Sequence, residues 1–145
     1  MGYIYYANIE SDPNGGFIAT FPDVPEAITA GDDMPETLAN AAQALGLALR
    51  SYYAAGKPLP PAKICEGTAI ALDAWNSLKL AVITAFEESN ITKTELARRL
   101  GKQENEARRI LDWNYPTKLQ TLERALAVMG KQLIVTVQDK PRRAA

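Results

Sequence analysis

Lys93-Thr94-Glu95-Leu96-Ala97-Arg98-Arg99-Leu100-Gly101-Lys102-Gln103-Glu104-Asn105-Glu106-Ala107-Arg108-Arg109-Ile110 decides how the second half of this 145-residue chain folds. Two helices that meet steeply across a short turn need a small side chain where the second crosses the first. Ala97 meets that need. Four positions on, the turn asks for a residue that tolerates positive φ, and Gly101 does. Leu96, Leu100, Ala107 and Ile110 then face a shared core, and Thr92 with Glu95 has the spacing of a capping box. The pattern is that of a helix-turn-helix. It leaves Gln103, Glu104, Asn105, Arg108 and Arg109 on the outward face of the second helix. Arginine can hold guanine through two hydrogen bonds, and asparagine or glutamine can do the same for adenine. Lys93, Thr94, Lys102 and Lys118 lie near helix starts, where free N–H groups favour phosphate. These nine residues are the candidate DNA contacts, against the plainer reading of a solvated charged face. Glu104 either accepts from cytosine or repels phosphate, and the sequence leaves both open.

Working outward, Asp73 caps a helix from Ala74 to about Ser89, with Trp75, Leu78, Val82 and Phe86 on its buried side. Thr117, with Gln120 at the third position, is the expected cap of a later helix that ends at Gly130. Gln132 to Val137 is then the lone β-type run of this half. Its Leu133, Ile134, Val135, Thr136 and Val137 need a pairing partner. The same strand of a second subunit is favoured over the edge of the N-terminal sheet. A two-fold ribbon would hold two reading helices one DNA turn apart, about 34 Å. Residues 139–145 are expected to be a flexible tail.

The first half has a different period. Tyr3 to Glu10 alternates like a strand, Ser11-Asp12-Pro13-Asn14-Gly15-Gly16 supplies a turn, and Phe17 to Phe21 alternates again. Ala27 to Ala30 is a short third strand. Asp33 and Glu36 mark a helix start, with Pro35 in the first turn where its missing N–H costs nothing. Leu38, Ala41, Ala42, Leu45, Leu49 and Tyr52 form one apolar stripe, and Gly56 ends the helix ahead of a proline-rich stretch. Thr68 to Leu72 reads as a fourth strand. The expected fold class is α+β: a βββαβ domain over residues 1–73, then an all-α helix-turn-helix (Cro/cI-like) domain with a C-terminal strand over 74–138.

Charge follows the same division. Residues 1–73 hold three basic and nine acidic side chains, a balance of −6, and residues 74–145 hold thirteen and eight, a balance of +5. Such asymmetry suggests partners of opposite sign. The chain has no histidine and a single cysteine, Cys65. That removes the usual general base, any Ser-His or Cys-His pair, an internal disulfide and a cysteine zinc site. No catalytic residue, metal or cofactor is expected. No apolar run approaches the roughly 18 residues that span a bilayer, and the N-terminus lacks the form of a signal peptide, so a cytoplasmic protein is expected.

Gly16-Phe17-Ile18-Ala19-Thr20-Phe21-Pro22-Asp23-Val24-Pro25-Glu26-Ala27-Ile28-Thr29-Ala30-Gly31 resembles the signature of HicB-type antitoxins, an aromatic strand running into a turn and then a long Ala-rich helix. Leu38-Ala39-Asn40-Ala41-Ala42-Gln43-Ala44-Leu45 lies in that helix. Glu95-Leu96-Ala97-Arg98-Arg99 and Gly101-Lys102 look like the helix-turn-helix subgroup, and the resemblance covers about residues 3–138. It implies a partial ribonuclease-H-like first domain that neutralises a small HicA-type RNA-cleaving toxin. It also implies a dimer or higher oligomer that binds the promoter of its own operon. A toxin that binds RNA should be basic, which suits an acidic domain. Glu10, Asp12, Asp23, Val24, Glu26 and Asp32 are the candidate toxin contacts. For Asp23 and Glu26 the competing role is turn and helix chemistry, and for Phe17, Phe21 and Leu45 it is core packing. Two rivals stand beside this reading. One is a metal-dependent nuclease built on Glu10, Asp12 and Asp23. The other is a stand-alone repressor whose first domain binds an effector or assists oligomerisation.

Overall fold

In the computed structural model, which describes residues 3–139, the first alternating stretch is an eight-residue strand, β1 (Ile4–Ser11). It is followed by β2 (Phe17–Thr20), β3 (Ile28–Gly31), α1 (Met34–Ala54) and β4 (Thr68–Ala71). The sheet is antiparallel throughout, in the order β3-β2-β1-β4. β1 joins its two sides: Ile4 to Ala7 pair with Ala71 to Thr68, and Asn8 to Ser11 pair with Thr20 to Phe17. Alternation puts Tyr5, Ala7, Ala19 and Ile70 in the core, where α1 brings Ala41, Leu45, Ala48 and Leu49. Phe21 and Leu45 are fully buried, while Phe17 is only half-buried.

The turn between β1 and β2 closes through bonds from Asp12 N to Gly16 O and from Gly15 N to Asp12 O. Gly16 has φ +76, and a Cβ there would collide with the Gly31 carbonyl, so both the turn and the neighbouring strand demand glycine. α1 starts as expected. Asp33 accepts from Glu36 N at 2.8 Å, and the Glu36 carboxylate reaches back to Asp32 N at 3.2 Å. The long connection from α1 to β4 is pinned rather than loose. Tyr5 donates to the Pro60 carbonyl at 2.6 Å, and one oxygen of Asp23 accepts from both Lys63 N and Ile64 N at 2.8 Å.

The remaining helices are α2 (Ala74–Ser89), α3 (Lys93–Leu100), α4 (Glu104–Leu111) and α5 (Leu119–Val128). Asp73 caps α2 through Asn76 N. The chain divides into two compact units after Leu80, inside α2. The first turn of α2 packs close to α1: a Cβ on Gly46 would lie 3.9 Å from Asn76 Nδ2. In the second unit α3 packs against α4 and α5. Their core holds Leu96, Ala97, Leu100, Ala107, Ile110, Trp113, Leu122 and Ala125. No helical membrane span is present among the described residues.

Two expectations need correction. Lys118, not Thr117, is the residue flanking α5. The C-terminal strand is not formed: residues 131–139 have no regular secondary structure, and Ile134, Val135 and Val137 are exposed. A strand exists only through its ladder, and these residues find none within the described part of the chain. The tail beyond Asp139 lies outside the described residues.

Candidate nucleic-acid interface and partner surface

The geometry of the second unit starts at two helix ends. Thr92 Oγ1 accepts from Glu95 N at 3.0 Å and fixes the start of α3. Gly101, with φ +66, ends it: Gly101 N bonds to Arg98 O and Lys102 N to Ala97 O, the paired bonds of a Schellman turn. Three residues, Gly101 to Gln103, then lead into α4. Leu96, Ala97, Leu100, Ala107 and Ile110 are all buried between the helices, as their spacing predicts.

That packing leaves Gln103, Glu104, Asn105, Arg108 and Arg109 exposed on one side of α4. Lys93, Thr94 and Lys102 are exposed around α3 and the turn, and Lys118 at the start of α5. In the free protein the two arginines are held by carboxylates of their own helix. Arg108 meets Glu104, and Arg109 meets Glu106, each at 2.9 Å. The Arg109 guanidinium also lies over the Tyr115 ring, 5.6 Å from its centroid. Exposed pairs of this type are worth about 0.2–1 kcal/mol, so they orient the guanidinium groups without locking them away. The role of Tyr115 was missed; an aromatic residue in a loop has no periodicity to betray it.

α3 contributes a second cluster. Glu95 accepts from Arg98 at 2.6 Å and from Arg99 at 3.0 Å, and the two guanidinium groups pull its carboxyl down to about 2. Arg99 also donates to the Val128 carbonyl, tying α3 to the end of α5. Arg98 and Arg99 are thus partly structural.

In the first unit the six expected partner contacts do not form one patch of like residues. Val24 is fully buried, which removes it from any surface. Asp23 is half-buried and spent on the two amides of the α1–β4 connection. Asp12 organises its own turn by accepting from Asn14 N at 2.9 Å. Glu26 accepts from the Tyr52 hydroxyl at 2.6 Å, and this bond holds its carboxyl below the usual range. Glu10 and Asp32 are exposed. Among the described residues no three carboxylate or thiol side chains gather as a metal ion would require. What sequence reasoning missed is an open groove of mixed polarity between α1 and β3, along which Ile28 and Leu47 are exposed. Their exposure depends on how helix and strand diverge, which no pattern encodes.

A four-stranded antiparallel sheet under one long helix, followed by a helical unit with an arginine-bearing outer face, is the setting in which the comparisons with known proteins fall. The model of the HicB-like antitoxin of bacterial toxin–antitoxin systems matches residues 4–81. The chain belongs to this family of antitoxins. It is 31% identical to antitoxin HicB 1 of Photorhabdus laumondii over 92% of this chain and 86% of that protein. It is 32% identical to antitoxin HicB of Escherichia coli K12 over 89% of this chain and 95% of that one. Antitoxin HicB of Pseudomonas fluorescens is 28% identical over 92% and 93%. The likeness therefore extends through the helical unit, and an antitoxin role implies a cognate toxin.

Proposed function

We infer that the two units divide two binding tasks: the acidic first unit masks a HicA-type RNA-cleaving toxin, and the second grips promoter DNA to repress the chain's own operon. The observation that carries the DNA half is the exposed face of α4. It presents Gln103, Asn105, Arg108 and Arg109 from a helix docked on α3 across a three-residue turn. This is how a helix-turn-helix of the Cro/cI type offers base-reading side chains to a major groove. Lys93, Thr94, Lys102 and Lys118 would then lie along phosphates, with the first-turn amides of the helices beside them. Glu104 and Glu106 keep the face from being uniformly cationic, which penalises unspecific adhesion to the backbone.

The toxin half rests on family membership and on the −6 balance of residues 1–73. The βββαβ order of this unit is compatible with a partial ribonuclease-H-like fold used for binding. Leu133 to Val137, largely exposed in the single chain, supply the dimer contact by pairing with their copy. The protein needs no cofactor for either task and acts in the cytoplasm.

The test is a mobility-shift titration of the purified protein against the DNA upstream of its own gene, at fixed salt, beside a scrambled duplex. Preference for the upstream DNA of a hundredfold or more is expected. Equal affinity for both duplexes, or none, removes the repressor role. Co-expression with a HicA-type toxin should yield a stable complex; failure to form one removes the toxin-binding role.

A further inference from the structure

Between α1 and the edge strand β3 runs the open groove already noted, and both of its ends are tied. At one end Asn40 Nδ2 donates to the Ala30 carbonyl at 2.8 Å, and Gly31 packs so closely on Thr37 that a Cβ would lie 2.6 Å from the Thr37 nitrogen. At the other end stands the Tyr52–Glu26 bond. Between these ties helix and strand part, leaving a space of about 520 Å³ walled by Ile28, Ala44, Leu47 and Ser51. Ile28 is 64% and Leu47 61% exposed, the highest values for large apolar side chains among the described residues of this unit. Both side chains open onto the same concavity, which gives a partner's side chain a place to be seated.

The surroundings say what kind of partner fits. Glu26 stands on the wall as a carboxylate, and Asp32, Asp33 and Glu36 are exposed at the start of α1. Lys57 is the one cation among the lining residues. A second copy would set its own exposed Asp32, Asp33 and Glu36 near those of this one, beyond the groove itself, which opposes like charges. Strand addition along β3 is hindered because the Ala30 carbonyl is already taken by Asn40. A protein that binds RNA carries the opposite sign and needs no strand to dock.

We propose that this groove is where the cognate toxin docks, seating an apolar side chain between Ile28 and Leu47 while flanking cations meet Glu26, Asp32 and Glu36. The proposal rests on the reading of the first unit as the toxin-binding half and narrows it to one surface.

The experiment uses the whole 145-residue chain and a catalytically inactive HicA-type toxin, with affinity measured by calorimetry. Ile28→Glu and Leu47→Glu should each weaken the complex tenfold or more and leave the melting temperature close to that of the parent. Ile64→Glu, exposed but outside the groove, should bind as the parent does. Hydrogen exchange on the unmodified complex gives a reading free of any substitution, and amides at 26–31 should slow when toxin is added. Parent-like affinity in both groove variants, or unchanged exchange at 26–31 in a formed complex, overturns the groove while leaving the toxin-binding reading intact. Failure of the parent chain to bind the toxin overturns both. Loss of self-association in the variants with toxin affinity unchanged assigns the groove to a second copy and also overturns the proposal.

Discussion

Asp23 holds the amides of Lys63 and Ile64 on a single carboxylate oxygen, across forty residues of sequence. Hydrogen bonds to a charged group contribute about 1.5–3 kcal/mol each when buried, and partial exposure lowers that figure. Asp23→Ala should therefore destabilise the first unit by about 2 kcal/mol in urea denaturation and speed proteolysis between residues 57 and 67. A nuclease would instead lose metal-dependent cleavage with stability unchanged. The residue was legible as turn chemistry because aspartate between prolines favours local bonds. Its partner was not, since nothing in a sequence aligns one loop with another far along the chain. Val24 shows the same limit: a valine flanked by charged and proline residues looks exposed, yet the connection between β2 and β3 folds it inward.

At the scale of the element, α1, α2 and α3 were legible because their starts are chemical. Asp33, Asp73 and Thr92 cap through the side-chain oxygens that make such residues good caps, and Gly101 closes α3. α3 also carries a pH dependence. The Glu95 carboxyl is held at about 2 by Arg98 and Arg99, below its ordinary value of 4.5. A depressed folded value means that the stabilisation is fully present above 4.5 and is lost as pH falls through about 2. Melting temperatures taken between those limits should fall less steeply for Glu95→Gln than for the parent, and added salt should shrink the difference. For α4, Arg109→Ala should cost about 1–3 kcal/mol of promoter affinity and relax specificity at one base pair. A loss equal on every duplex would mark Arg109 as a phosphate contact. The C-terminal strand was expected from its β-type composition and is not formed: a ladder is a relation between two segments, and these residues find no second one among the described residues.

Over the whole molecule, the partition of charge and the change of period announced two units, and the chain does divide into two compact units, with the division falling within α2. Helix caps mark where a helix begins, not which unit it joins. Two expectations belong to this scale. Lys102→Ala should weaken DNA binding on all sequences and reduce the slope of log K against log salt by about 1, and an unchanged slope would take Lys102 off the backbone. Val135→Glu places a charge in the exposed segment that would pair with its copy. Sedimentation should shift toward the monomer, and DNA affinity should fall as the two reading helices lose their spacing. A parent-like oligomer would place the dimer contact elsewhere.

The carboxylates clasping Arg108 and Arg109 have a thermodynamic corollary. A guanidinium that reaches DNA already neutralised by its own helix displaces a condensed counterion from the duplex. The glutamate it abandons then gathers a cation from solution, so the net release of ions at that contact falls toward zero. A complex resting on these two arginines would keep its grip across ionic strengths that loosen one built on lysines alone.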